Sequence, residues 1–420
     1  MAKPRVPDSL HICLVGQRFQ ILSRATDSGF LWPIAKGLAQ QGHKVTVISN
    51  RSPLGREEVE RDGVKAYYLQ EGSSPYSGMS FTNAAYQKFL ELHRQEPFHI
   101  VHSLDDSGRR IGRHRKELKI AMAYDVEATQ MSQLFSILGM SQETAGSLLT
   151  TYAALTYKFL TTYFGRDRKL LKTADGMFVT NPQQRFLLER YYLYPDLHTY
   201  TVPYGAEFGE FSSRETPGEL RKKWNLPDHA QIAVTLSDMN EVRELIPLLR
   251  AFEKVAIKKP NAYLVLLGTG PNYKRIEYEV LSLALGSRVL LPGAVKSSEL
   301  IDSIFMGDVF INLSSRSTGF EPSVLEAMAN KKVLIGSEVS PLSNLIEDGV
   351  DGFLIRPADS ESLANLLLEI FAGSLPAQEI GERARRKVLD YFDPQKMVRS
   401  TIDAYQKILI RRGLFKSILR

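Results

Sequence analysis

The stretch from Asp308 to Ser337, DVFINLSSRSTGFEPSVLEAMANKKVLIGS, holds residues whose types and spacing suit the binding of an anion. Pro322 stands where a helix should start, because its fixed φ suits the first helical position and its missing N–H costs nothing there. The N–H groups of Ser323, Val324 and Leu325 then lack intrahelical partners and lie at the positive end of the helix dipole. A phosphate is the natural ligand of such a helix start. Gly319, just ahead, lets the backbone come close to it, since no Cβ is in the way. Glu326 is of a type to accept hydrogen bonds from sugar hydroxyls beside that phosphate. A plainer reading stands alongside: an early Glu often only complements the dipole, and many α/β proteins hold no ligand at such a loop.

Other chemistry-bearing residues are scattered along the chain. Gly16 closes a first apolar strand, and Gly29 precedes a helix, which suggests close backbone approach to an anion or a simple helix entrance. Asp105-Asp106 follows another strand; two carboxylates without further clustered ligands are weak grounds for a metal. Tyr124-Asp125 ends a further strand. Gly268-Thr269-Gly270-Pro271 tempts a dinucleotide reading, but Tyr273 occupies the place of the third glycine, so that fingerprint fails. Cys13 sits inside the apolar run Ile12-Cys13-Leu14-Val15 and reads as a buried, inert thiol.

The elements that must hold these residues alternate between strand and helix. Strands are expected at His11–Val15, Val45–Ile48, Val64–Leu69, Ile100–His102, Ala121–Val126 and Ala174–Thr180, with a short one at Thr201–Pro203. Helices are expected at about Leu31–Gln41, Asn83–His93, Ser141–Lys172 and Gln183–Tyr191. After Tyr204–Phe208 the alternation restarts: strands at Ile232–Leu236, Tyr263–Leu267, Val289–Pro292, Val309–Leu313 and Val333–Ile335 are interleaved with helices. In the central motif, Leu325, Met328 and Ala329 give the helix one apolar face. The pattern predicts an α/β fold of two βαβ-built domains, 1–205 and 206–393, with a final helix from about Pro394 to Arg411.

Composition narrows the function classes. The chain has 420 residues, 43% of them hydrophobic and 24% charged, as in a soluble globular protein. Its net charge of +6 comes from dispersed residues, 53 basic against 47 acidic, and does not demand nucleic acid. One cysteine excludes an intrachain disulfide. The first residues lack the apolar core of a signal peptide, and no run approaches the ~18 apolar residues of a membrane span. A cytoplasmic protein is expected, with peripheral contact at the inner membrane face as an option. Two stretches carry that option: the aromatic face around Tyr152, Tyr157 and Phe164, and the tail in which Leu414, Phe415, Ile418 and Leu419 lie among Arg411, Arg412, Lys416 and Arg420. The bland reading of both is core with a solvated edge.

The motif GFEPSVLEAMANKKVLIG resembles the donor-site signature of the family 4 (group 1) retaining glycosyltransferases. The loop-helix-strand GFLWPIAKGLAQQGHKVTVIS resembles their opening, and Tyr204-Gly205-Ala206-Glu207-Phe208 their interdomain linker. The resemblance implies the GT-B fold: two Rossmann-like domains facing each other across a cleft, with the last helix returning to the first domain. It implies transfer of a sugar, with retention of configuration, from a nucleotide sugar such as a UDP- or GDP-sugar to a glycan, lipid-linked or small-molecule acceptor. No metal or cofactor is implied. Glu326 matches the signature's second glutamate and would hold the ribose. Thr318 falls on the first, with Glu321 as a nearby substitute, and the Gly319-Phe320-Glu321 backbone would orient the sugar. Arg243 and the amides of Ser323, Val324 and Leu325 would steady the diphosphate. Gly268, Gly270 and Val295 would shape the nucleotide pocket, and Gly16 and Gly29 would face the cleft. Tyr124-Asp125 falls where relatives carry an acceptor-facing His-Asp pair. Three positions depart from the pattern: Thr318, Asp238 where an Arg grips the diphosphate, and Tyr124. They raise an alternative, a catalytically degenerate GT-B protein that binds nucleotide, glycan or a protein partner without transfer.

Overall fold

The computed structural model describes residues 5–19, 21, 31–52, 55–70, 75–76, 78–126, 156–157, 160–161, 165, 167–180, 182–203, 205, 217–240, 242–313, 322–339 and 342–415. The chain forms two compact units. One takes the described residues up to 205 together with 391–415, and the other takes 217–390.

The first unit is built on β1 (His11–Val15), whose five residues are all buried. Burial on both faces is what a central parallel strand requires, and it explains the unbroken apolar run. Helix α1 (Leu31–Gln40) leads to β2 (Lys44–Ser49). A hairpin not expected from periodicity, β3 (Glu58–Arg61) antiparallel to β4 (Val64–Tyr68), forms one edge of the sheet. Then come α2 (Phe81–Gln95), β5 (Ile100–Ser103), α3 (Arg109–His114), β6 (Ala121–Asp125), α4 (Arg168–Leu171), β7 (Gly176–Val179), α5 (Pro182–Tyr192) and β8 (Thr199–Thr201). The sheet order is β3-β4-β2-β1-β5-β6-β7-β8. The strand expected at Thr201–Pro203 lies two residues earlier. Of the helix expected over Ser141–Lys172, only α4 and a few isolated residues fall among the described ones, and of the linker Tyr204–Phe208 only the buried Gly205 does.

The second unit opens with α6 (Pro217–Lys223) and β9 (Gln231–Leu236). It continues through α7 (Val242–Lys258), β10 (Ala262–Leu267), α8 (Tyr273–Ser282), β11 (Val289–Gly293), α9 (Ser297–Met306), β12 (Val309–Asn312), α10 (Pro322–Ala329), β13 (Val333–Ser337), α11 (Leu342–Leu345), β14 (Phe353–Ile355), α12 (Ser360–Ala372) and α13 (Ala377–Tyr391). All neighbours in the sheet β11-β10-β9-β12-β13-β14 are parallel. Numbered within the unit, that order is 3-2-1-4-5-6, the doubly wound dinucleotide-binding topology. The chain reverses its direction of growth between β9 and β12, so the crevice for a ligand lies beyond their carboxyl ends.

The last helix, α14 (Pro394–Arg411), is capped by Asp393, whose side chain accepts from the Gln395 N–H. Its Met397, Val398, Ala404, Tyr405, Ile408 and Leu409 join the core of the first unit, with Trp32, Leu38 and Phe178. Leu414 and Phe415 pack against the same core. Arg411 donates to the Leu197 carbonyl (2.6 Å) and the Tyr200 hydroxyl (2.9 Å), and Arg412 Nε lies 3.5 Å from Asp175. The described part of the tail thus has contacts within its own unit, with Leu414 and Phe415 half-buried against its core. Residues 416–420 lie outside the described set. Among the described residues no helix is long and apolar enough to cross a membrane.

Candidate active site

Two described loops meet at the carboxyl edge of the second unit. The loop after β9 is folded by its own side chains: the Met239 N–H donates to Ser237 Oγ (3.0 Å), and Asp238 accepts from the Asn240 N–H (3.1 Å) and Asn240 Nδ2 (2.8 Å). This is an Asx-type turn, in which a short acid substitutes for backbone. It gives the Asp at position 238 a local role that a longer Arg could not fill. The loop after β10 clasps it. Asn272 Nδ2 donates to the carbonyls of Met239 (3.0 Å) and Asn240 (3.1 Å).

The two glycines of Gly268-Thr269-Gly270 make that clasp possible. A Cβ on Gly268 would lie 1.9 Å from the Ser237 carbonyl oxygen, and one on Gly270 would lie 1.8 Å from that of Asp238. Gly268 also has φ +109°, a conformation an L side chain resists. The glycines expected at a nucleotide pocket thus hold loop against loop, backbone on backbone. Val295 is half-buried in the turn between β11 and α9.

Across the switch point, α10 starts at Pro322 as its residue type demands. The apolar face of Leu325, Met328 and Ala329 is buried, and so is the rest of the helix: every residue from Ser323 to Ala329 is buried, Glu326 fully so. An α-helix enclosed on all sides is a core helix, and here it carries polar groups inside. Among the described residues the buried Ser323 Oγ meets no hydrogen-bond partner. A buried hydroxyl left this way is costly, and it lies in the helix turn whose amides are unsatisfied by geometry. Ser337 Oγ, at the end of β13, is buried in the same condition. Thr318, Gly319, Phe320 and Glu321 lie outside the described residues, as does Gly29. Arg243 is the second residue of α7, near the same edge; its side chain is outside the described set.

The equivalent edge of the first unit is closed differently. Asp105 accepts from the Gln17 N–H (2.7 Å) with one oxygen and from the Ser107 N–H (2.8 Å) with the other, tying the loops after β1 and β5 together. Its carboxylate oxygens are thus used by backbone. Among the described residues no group of three or more His, Cys, Asp or Glu could hold a metal. Gly16 is buried, donates to the Ile48 carbonyl (3.2 Å) and packs beneath Leu104, 3.2 Å from where a Cβ would sit.

Tyr124, expected to face the acceptor, is instead a core residue, and this expectation is corrected. It is fully buried, with its hydroxyl 3.0 Å from Thr173 Oγ1 and 3.4 Å from the Gly108 carbonyl, and burial holds its pKa well above the phenol range. Alternation along β6 explains it, since neighbouring side chains point to opposite faces. Asp125 meets a histidine that belongs to none of the motifs. His102 Nε2 lies 3.2 Å from Asp125 Oδ1, and its Nδ1 lies 2.7 Å from the Tyr405 hydroxyl on α14. The neutral tautomer with its proton on Nε2 satisfies both contacts, donating to the carboxylate and accepting from the phenol. The signal was present in sequence as a polar residue inside the buried run Ile100-Val101-His102.

Two Rossmann-like parallel-sheet units, with a last helix built into the first, define the GT-B class of glycosyltransferases. The family model described as "Glycosyl transferases group 1" matches residues 218–387, and the "Glycosyl transferase 4-like domain" model matches 30–205. The chain belongs to the group 1 glycosyltransferases and is an enzyme of that kind. It is 27% identical to the N-acetyl-alpha-D-glucosaminyl L-malate synthase of Bacillus anthracis over 379 residues, 90% of this chain and 92% of that one. Among solved structures, the sucrose-phosphate synthase of Thermosynechococcus elongatus matches with TM-score 0.75 at 19% identity, covering 96% of this chain and 100% of that one. The Anabaena protein HepE in complex with UDP-glucose matches with TM-score 0.70 at 14% identity, covering 94% and 98%.

Proposed function

We propose that this glycosyltransferase takes its sugar from a nucleotide diphosphate donor bound at the β9/β12 switch point and transfers it with retention of configuration. The observation that carries the reading is the start of α10: a buried Ser323 hydroxyl without a partner among the described residues and the buried Glu326 carboxylate, placed where the strand order reverses, in a first turn whose amides have no intrahelical acceptor. Amides and a helix dipole aimed at a diphosphate stabilise the charge that develops as it leaves, and such preorganised electrostatics supplies most of the rate enhancement in many enzymes. Arg243, the second residue of α7, is the cation assigned to the diphosphate in this reading. Glu326 accepts from the ribose hydroxyls, and Thr318, Gly319, Phe320 and Glu321 orient the sugar. Asp125, held by His102, lies on the acceptor side. The UDP-glucose complex of HepE supports a UDP-sugar, and the activity for which the Bacillus anthracis relative is named supports an N-acetylhexosamine as the group moved. The reaction needs no metal or cofactor in this scheme.

The test is to follow nucleotide release from a panel of UDP- and GDP-sugars and to read the anomeric configuration of the product by NMR. Turnover with one donor and a retained anomer is expected. Glu326→Gln should weaken nucleotide binding about tenfold, the worth of one charge-assisted hydrogen bond. Unchanged affinity would remove Glu326 from the ribose, and an inverted product would remove retention.

A further inference from the structure

The first unit contains a cavity of about 320 Å³ lined by Thr82, Asn83, Arg109, Arg110, Arg113 and His114. Three arginines converge on it. Arg110 has a structural anchor: its Nη1 donates to Asn83 Oδ1 (2.7 Å), and its guanidinium stacks 4.7 Å over the Tyr86 ring. Arg109 is half-buried and Arg113 exposed, while the neighbouring Arg115 is the one paired with Asp175, at 3.2 Å. The acids nearest in sequence, Asp106 and Glu117, do not line the cavity, and Glu117 is paired with His114 at 3.2 Å. Thr82 and Asn83 belong to the first turn of the 15-residue α2, whose N-cap residue Ser80 makes no side-chain cap bond. The positive end of that helix dipole therefore adds to the arginines.

Like charges gathered without a counter-ion repel one another, and a fold tolerates this where an anion completes the set. Guanidinium pairs recognise carboxylate and phosphate by two-pronged hydrogen bonding. The cavity has the volume of a small-molecule site rather than of a single ion. It sits at the carboxyl edge of the sheet, with Arg109 four residues beyond Asp105, the residue that ties the β1 and β5 loops. We infer that this cavity binds an anionic group of the acceptor, a phosphate or a carboxylate carried on a small molecule, through Arg109 and Arg113, with Arg110 held in place by Asn83 and Tyr86. The inference rests on the transferase reading for the word acceptor, while the anion site stands on its own geometry.

Calorimetry on the full chain tests it. UDP is added first, to occupy the donor crevice and to show whether that crevice binds a nucleotide at all. Inorganic phosphate and a four-carbon dicarboxylate, L-malate, are then titrated separately into wild type and into the Arg109→Gln/Arg113→Gln double variant at low ionic strength. Binding of either probe is expected, weakened at least about tenfold in the double variant with UDP affinity unchanged. The probe that binds tells a phosphorylated acceptor from a carboxylic one. Equal affinity in wild type and variant, or binding of neither probe while UDP binds, overturns the anion site. Failure of the wild type to bind UDP overturns the donor reading instead. Arg109→Lys/Arg113→Lys keeps the charge and removes the two-pronged geometry, so it should recover part of the affinity if the site is built as argued.

Discussion

The two units share parallel-sheet topology around a switch point, yet they finish their carboxyl edges in opposite ways. In the first, Asp105 spans the β1 and β5 loops with a carboxylate whose two oxygens each take a backbone N–H. Backbone amides of two loops are met there by one side chain, although the buried Ser107 Oγ next to it meets no partner among the described residues. In the second, the β9 and β10 loops are clasped by glycines and Asn272, and beyond them the start of α10 keeps a buried hydroxyl unmet among the described residues. The difference teaches where to look for a ligand. A Rossmann edge closed by its own side chain leaves binding to the flanking helices, as the arginine cavity between α2 and α3 illustrates. An edge closed by bare backbone leaves the helix start for an anion.

The largest effect should come from unclasping the second edge. Gly270→Val places a branched side chain into the Asp238 carbonyl oxygen, which the backbone must move to avoid. A loss of about 3 kcal/mol is expected. Urea unfolding followed by Trp224 fluorescence in a Trp32→Phe background reads the second unit alone, and nucleotide affinity should fall with it. A fully stable, nucleotide-binding Gly270→Val would deny the clasp.

Acid should act on the other unit. Burial lowers the pKa of His11, His43, His93, His99 and His198 from the usual 6.5. All five belong to the first unit, and the second contains His229 alone. A histidine held neutral in the folded state binds fewer protons there than when unfolded. Its contribution is fully present above about pH 6.5 and is lost as pH falls through the lowered folded values. The first unit, read by Trp32 in a Trp224→Phe background, should therefore lose stability below pH 6.5 more steeply than the second. Parallel losses would contradict this.

Asp105→Ala strips two backbone N–H groups of their acceptor, one at an exposed position. It should cost about 2 kcal/mol in the first unit, while nucleotide affinity stays at the wild-type value. A loss of nucleotide binding would mean that the two edges are not independent. The smallest effect should be that of Tyr405→Phe, which removes the 2.7 Å bond to His102 Nδ1. About 1 kcal/mol is expected, measured as a shift in the Trp32 transition.

Sequence alone determined most of the strand–helix order, the β3 edge strand excepted, and the position of Pro322 at a helix start. These follow from local rules: apolar runs of four to six residues, helical spacing and fixed backbone preferences act over a few neighbours and survive in any tertiary setting. The glycosyltransferase motif was legible for the same reason, since its residues are contiguous. Tertiary structure decided what lies beside what. His102 and Tyr405 stand 303 positions apart and meet because α14 packs into the first sheet. Glu326 is enclosed, and Tyr124 turned inward, because burial depends on which strands and helices become neighbours. The arginine cavity joins the starts of two helices whose sequences show only ordinary surface charge. Periodicity tells a side chain which face it occupies, but only the strand order tells that face what it will meet.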